Sequence, residues 1–329
     1  VLLPLLLSLG SVFTVAAQDV AFFQIGSGPA GETRFLLGSL IANALSNPPG
    51  SRPCDRGGSC GVPGLVAVAK STGGAIANVD GLAAGRLDAA LVRADIAYWA
   101  RQGSGPFKEK GPVTALRGIA MLYSDTVHLV VRRGSGIHSV HDLKGRRVSL
   151  GARDSGALVL GRLLLGAYGL HDSQVKLSYF RPGAAADALA AGQLDAFLVV
   201  DGQAAPAVAE LARTTEIALL PLAGPEMDRL RAGAPFLNTG VIPAGTYAGI
   251  DQPVPTVEIG VMLATRANQP APLIQEVTRA LWNPTTQRLL TEGHARGRLI
   301  HLAFADLGRL GVPLHAGAAA YYAEAGAAQ

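Results

Sequence analysis

The sequence predicts an α/β protein made of two similar lobes. Strand-like apolar runs alternate with stretches of helical spacing along most of the chain. One pattern occurs twice: Gly85-Arg86-Leu87-Asp88-Ala89-Ala90-Leu91-Val92 is echoed by Gly192-Gln193-Leu194-Asp195-Ala196-Phe197-Leu198-Val199. Each copy reads as a helix end, a glycine cap, an aspartate and a buried strand. The chain has 329 residues, 49% hydrophobic and 16% charged. That composition is globular, and the length exceeds one typical core.

The elements follow in order. Residues 21–25 read as a strand, 26–31 as a glycine turn and 35–45 as a helix, the start of an α/β unit. Strand 65–69, helix 76–84 and strand 89–92 continue it, and two further strands are expected at 116–122 and 127–132. A second series has a short helix at 140–143, strand 147–150, helix 157–168, strand 176–179, helix 184–190, strand 196–200, helix 206–211 and strand 217–220. Residues 256–264 are extended and rich in Val, Ile, Met and Leu, as suits a strand crossing back to the first lobe. Residues 272–283 and 285–292 read as closing helices. The sheet is expected to be mostly parallel and covered by helices.

The first seventeen residues carry no charge and end in Val15-Ala16-Ala17. The run is shorter than the roughly 20 apolar residues that span a bilayer. It reads as an export signal cleaved near Ala17, with its basic n-region upstream, rather than as an anchor or core helix. Cys54 and Cys60, the two cysteines of the chain, then predict a disulfide formed in an oxidising compartment. A zinc site has no second cysteine pair to draw on. The net charge of +4 is dispersed and aromatics make up 5% of residues, so a nucleic-acid surface is not expected. Neither a metal nor a cofactor is called for.

In open α/β sheets, ligands bind beyond the carboxyl ends of the strands. Four turns fall there: residues 26–31, with Ser27, Gly28, Ala30 and Gly31; Ser71-Thr72-Gly73-Gly74; Asp154-Ser155-Gly156; and Asp201-Gly202. The first three precede helices, whose N–H groups and positive dipole end favour an anion. Any one of them alone is an ordinary cap, whereas four at one cleft point to a ligand. Asp95, after strand 89–92, reads as a cleft residue or as the cap of the next helix. Gly26-Ser27-Gly28-Pro29-Ala30-Gly31 matches a dinucleotide fingerprint but lacks the acidic residue expected about 20 positions on. No G-x-S-x-G, H-E-x-x-H or S-x-x-K pattern is present. His138 and His141 sit three apart in a charged turn and read as solvated. The sequence therefore predicts a binding protein, not an enzyme.

From about residue 22 onward the chain resembles the substrate-binding proteins of TRAP transporters, in the TAXI class. The residues that carry the likeness are Pro53-Cys54-Asp55-Arg56-Gly57-Gly58-Ser59-Cys60-Gly61-Val62-Pro63-Gly64-Leu65, residues 25–31, 71–78, 94–98, 128–131, 136–147, 176–183 and 194–197, and Val241-Ile242-Pro243-Ala244-Gly245-Thr246-Tyr247. The double-cysteine loop and the Ile-Pro-Ala-Gly-Thr-Tyr segment are its specific parts.

The resemblance implies a type II periplasmic-binding-protein fold, with two α/β lobes joined by a two-stranded hinge. Lobe 1 would be residues 18–127 with 258–329 and lobe 2 residues 128–257, hinged near 125–131 and 256–261. It implies a monomer that holds a glutamate-like or dicarboxylate anion at residues 27–31, 71–74 and 154–157 and delivers it to TRAP membrane subunits. The chain departs from the family pattern in the cleft. Thr33 and Arg34 stand where two tyrosines are usual, and Arg93-Ala94 replaces a serine before Asp95. Asp154-Ser155-Gly156-Ala157 and Asp201-Gly202-Gln203-Ala204 carry aspartates where the family has glycine. Arg34 or Arg93 could pair with a second carboxylate. Asp154 or Asp201 could take an ammonium or a hydroxyl, or any of the four could form lobe-to-lobe salt bridges. A periplasmic sensor signalling to a membrane partner would use the same cleft.

Overall fold

The computed structural model describes residues 20–300 and 310–326. The expected export signal lies outside them.

The first α/β series comprises β1 (Ala21–Gly26), α1 (Thr33–Leu45), β2 (Ser46–Asn47), β3 (Val62–Pro63), β4 (Leu65–Lys70), α2 (Ala75–Ala83), β5 (Ala89–Arg93), α3 (Ala94–Gln102) and β6 (Leu116–Arg132). The second has β7 (Arg147–Ser149), α4 (Gly156–Ala167), β8 (Lys176–Ser178), α5 (Pro182–Ala190), β9 (Ala196–Asp201), α6 (Pro206–Thr214), β10 (Ile217–Leu219), α7 (Pro225–Gly233) and β11 (Leu237–Ile242). The chain then returns through β12 (Val254–Arg266) to α8 (Ala271–Leu281), α9 (Pro284–Gly293) and α10 (Ala316–Glu324).

Among the described residues one ten-stranded sheet runs β4-β1-β5-β12-β6-β9-β7-β8, with β10 beside β6 and β11 beside β12. Its two ends, β4-β1-β5 and β9-β7-β8, are parallel, as the alternation predicts. The middle is antiparallel, so the sheet is mixed rather than mostly parallel as expected, because β6 and β12 cross between the lobes in opposite directions. β6 runs 17 residues without a break, where the sequence reading expects two strands. The polar Ser124-Asp125-Thr126 reads as an interruption, but β12 pairs across it with Ser124 opposite Gly260 and Thr126 opposite Glu258. This long β6–β12 pair connects a first lobe, built on β1, β4 and β5, to a second, built on β7, β8 and β9. α7 and β11 have no counterpart in the sequence reading.

The repeated motif performs the same task in each lobe. Gly85 and Gly192 both have left-handed φ, 70° and 72°, which lets the chain turn sharply from helix to strand. Asp88 then accepts a hydrogen bond from the Gln24 N–H in β1 at 2.8 Å. Asp195 accepts the equivalent bond from the Arg147 N–H in β7, also at 2.8 Å. Each aspartate thus ties the start of its strand to the neighbouring strand.

Among the described residues three apolar clusters form the core. One packs α1, α8 and α9 on the first lobe's sheet through Phe23, Ile41, Leu91, Val277 and Leu281. Another packs α5 and α6 on the second through Leu189, Phe197 and Val208. The largest spans both lobes, with Ile96 and Phe107 from the first sharing a core with Leu158, Leu198 and Phe236 from the second.

Candidate functional site

Five helices begin at one cavity. The N-cap residues of α1 to α5 are Glu32, Gly74, Arg93, Ser155 and Arg181, and all five line the same space of about 240 Å³. Three come from the first lobe and two from the second. The α/β alternation dictates this arrangement, since each helix starts where a strand delivers the chain to the same edge of the sheet. Unpaired N–H groups and positive dipole ends therefore converge there. The buried strand residues Leu198, Val199 and Val200 of β9 form the floor.

Four arginines line this space: Arg34, Arg93, Arg153 and Arg181. Two are already neutralised. Arg34 donates from Nη1 to Asp125 at 2.8 Å and from Nη2 to Glu32 at 2.9 Å. Burial opposes its charge, but Asp125 and Glu32 outweigh burial and hold its pKa above the ordinary guanidinium value. Burial likewise pushes Asp125 up to about 6, although Arg34 pulls it down. Arg93 is clamped by the fully buried Asp95, through Nε at 3.0 Å and through Nη2. The same carboxylate accepts the Ile96 N–H at 2.8 Å, so Asp95 both orders Arg93 and satisfies a free N–H of α3. Arg153 and Arg181 have no carboxylate within salt-bridge distance among the described residues. Arg153 lies over the Tyr179 ring, 3.9 Å from its centroid.

Among the described residues one hydrogen bond crosses the cavity. Arg93 Nη2 reaches the carbonyl oxygen of Gly156 at 3.2 Å. Residue 156 has little room for a side chain, because a Cβ there would meet Ile96 Cδ1 at 3.1 Å and Arg93 Nη2 at 3.3 Å.

Of the residues singled out from sequence, Arg34, Gly73, Gly74, Arg93, Asp154, Ser155 and Gly156 line the cavity. A second group supports its wall. Ser27 is fully buried, with its hydroxyl 3.4 Å from the Ile25 carbonyl. Gly28 packs against Arg34 and accepts bonds from the Thr72 N–H at 3.1 Å and the Ser71 hydroxyl at 3.3 Å. The Thr72 hydroxyl in turn accepts the Gly74 N–H at 3.3 Å. Thr33 is buried in α1, while Ala30 and Gly31 are exposed at the turn before it.

Asp201 and Gly202 are placed elsewhere. They sit beside Arg296, from the short 3-10 turn Ala295–Leu299, whose guanidinium packs on Gly202 and donates to the Ser124 carbonyl at 2.6 Å. A Cβ on Gly202 would come within 2.5 Å of Arg296 Nε. The following loop contains Ala204, at φ 57° the one non-glycine residue with left-handed φ among the described residues. Tyr247 braces it: its hydroxyl accepts the Ala205 N–H at 2.9 Å and lies 2.8 Å from His128 Nε2. Burial lowers His128 to about 4.

Cys54 and Cys60 are joined in a disulfide, as the sequence predicts. Arg153, Arg181, Glu32 and Arg296 have no place in the sequence reading. For Arg153 and Arg181 a signal was present: each stands beside a helix start, before Asp154-Ser155 and before Pro182.

Among the described residues no helix is long and apolar enough to cross a membrane. The fold is shared with the periplasmic sulfonate-binding protein SsuA of Methylobacillus flagellatus KT, with a TM-score of 0.51, 15% identity, and coverage of 95% of this chain and 89% of that one. It is shared too with PhnD1 of Prochlorococcus marinus, solved in complex with methylphosphonate, with a TM-score of 0.53, 12% identity, and coverage of 88% and 97%. At these identities the likeness is one of fold, that of the periplasmic binding proteins. The model of the NMT1-like family matches residues 25–326, and the chain belongs to that family.

Proposed function

We propose that the protein is an exported solute receptor. It captures a small organic anion between its lobes and presents it to a membrane importer. The observation that carries this reading is the convergence of five helix starts on one cavity with two arginines that have no carboxylate partner among the described residues. Closure about residues 125–131 and 256–261 would bury the ligand, and the closed form would dock on the importer. No chemistry on the ligand is required.

An ABC-type importer is the partner we favour, since SsuA, which shares the fold, serves a sulfonate ABC transporter. The TAXI class of TRAP receptors is a second reading, supported by the Cys54–Cys60 loop and the segment ending in Tyr247. Uptake that collapses with the ion gradient would favour TRAP subunits. Uptake that follows ATP hydrolysis would favour the ABC importer.

A thermal-shift screen of refolded protein tests the receptor reading. The panel would hold organic acids, amino acids and sugars. A ligand at 100 times its dissociation constant stabilises by about 2.7 kcal/mol. A shift with acids and none with sugars is expected. Stabilisation by sugars alone overturns the anion reading.

A further inference from the structure

The four arginines of the cavity differ in what they have left to offer. Arg34 faces Asp125 and Glu32, and Arg93 faces Asp95, so their charges are answered inside the first lobe. Arg153 and Arg181 are exposed and unpaired among the described residues, and both belong to the second lobe. They flank the starts of α4 and α5. The Tyr179 ring, whose centroid lies 3.9 Å from the guanidinium carbon, attracts the Arg153 cation and favours this position before any ligand arrives. Asp154 lies beside them, also without a partner among the described residues. Among the second lobe's groups, two unpaired cations and one unpaired anion leave a single positive charge in excess, whereas the first lobe's Arg34 and Arg93 face three carboxylates, Glu32, Asp125 and Asp95. The cavity therefore suits one acid group on the second lobe and repels another on the first.

Beyond these side chains, Glu32 and the backbone of the glycine turns, the side chains that line the cavity are mostly apolar. Leu198, Val199 and Val200 close the floor, and Ala75 and Pro29 face it. No Asn, Gln, Tyr, Trp or His side chain lines the cavity among the described residues. The Ser155 hydroxyl is already engaged, donating to the Ala152 carbonyl at 2.7 Å and accepting the Leu158 N–H at 3.2 Å. A sugar would find neither neutral hydrogen-bonding side chains nor an aromatic face. The volume of about 240 Å³ is below the roughly 300–1,000 Å³ of pockets for drug-sized ligands.

We infer that the ligand is a short-chain aliphatic monoanion. Its acid group is held on the second lobe by Arg153, Arg181 and the first N–H groups of α4 and α5. Its tail rests on Leu198 and Val200, which share one face of β9. Arg34 and Arg93 shape the opposite wall without reading the charge. This rests on the receptor reading and narrows it.

Calorimetric titration with propanesulfonate, propylphosphonate and butyrate, against glutarate, glutamate and ribose, tests the inference. At least one of the first three is expected to bind more tightly than the others, and which one does so identifies the acid group. Arg153→Gln with Arg181→Gln should weaken that binding by about tenfold or more and reduce its salt dependence. Both side chains are exposed, and the melting curve checks that the variant is folded. Unchanged affinity in the double variant overturns the inference. Tighter binding of glutarate or glutamate overturns the monoanion while the receptor reading stands. Binding of ribose alone, or of none of the six, sinks the inference, and a shift with some other acid in the thermal screen still keeps the receptor.

Discussion

Arg93, at the start of α3 in the first lobe, donates from Nη2 to the carbonyl oxygen of Gly156, the first residue of α4 in the second lobe, at 3.2 Å. Ile96 packs on the same glycine. Further along α3, Tyr98 and Trp99 meet Phe236 of the second lobe with ring centroids 5.5 and 5.1 Å apart. α3 therefore touches the second lobe at its start and again at its middle, and the Arg93–Gly156 bond exists only while the lobes are together. Gly156→Val should push Ile96 and Arg93 away and favour the open form. Small-angle scattering should show a larger radius of gyration, and ligand affinity should fall about tenfold, or 1.4 kcal/mol. An unchanged radius and affinity would remove Gly156 from the closure.

Tyr247 holds the loop that follows β9. Its hydroxyl is the acceptor for the buried Ala205 N–H and the partner of His128. Tyr247→Phe leaves both without that partner and should cost about 1–3 kcal/mol. Urea unfolding measures the loss. A variant as stable as the parent would show that the hydroxyl is dispensable.

Two buried groups set opposing acid responses. Asp125 is raised by burial from 3.8 to about 6, so its stabilising contribution is full below its unfolded value and is lost as pH rises through about 6. His128 is lowered by burial from 6.5 to about 4. Its contribution is full above 6.5 and is lost as pH falls through about 4. Asp125→Asn should therefore steepen the loss of stability on acidification from about pH 6 to 4, and His128→Gln should flatten it. Urea midpoints across that range report both slopes, and variant slopes parallel to the parent's would count against these assignments.

The disulfide closes a short loop around the exposed 3-10 turn Cys54–Arg56. Loop entropy gives it on the order of 2 kcal/mol. Replacing both cysteines by serine should lower Tm by a few degrees and leave anion binding intact. Loss of binding in that variant would link the loop to the cavity.

The strand and helix order was largely legible, because each lobe's β-α-β alternation is local in sequence. The aspartates of the repeated motif, Asp88 and Asp195, were legible for the same reason. Helix starts such as Gly74 and Ser155 announced themselves through turn chemistry. The roles of the arginines did not. Whether Arg34 is free depends on Asp125, which is 91 residues away and reaches it only through the long hinge strand. The continuity of that strand was hidden because Ser124-Asp125-Thr126 looks like a break until β12 lies beside it. Asp201 and Gly202 belong to the expected class of turn, yet Arg296 from the far end of the chain occupies the space next to them. In each case the deciding partner is distant in sequence, and no local pattern encodes it.

The receptor function stands on an anion lying between the lobes where five helices start. The most direct test is a crystal structure with the acid that gives the largest thermal shift. Density for one acid is expected in the cavity, its oxygens within hydrogen-bond distance of the starts of α4 and α5. Density for that acid at another place, with this cavity holding only water, would contradict it.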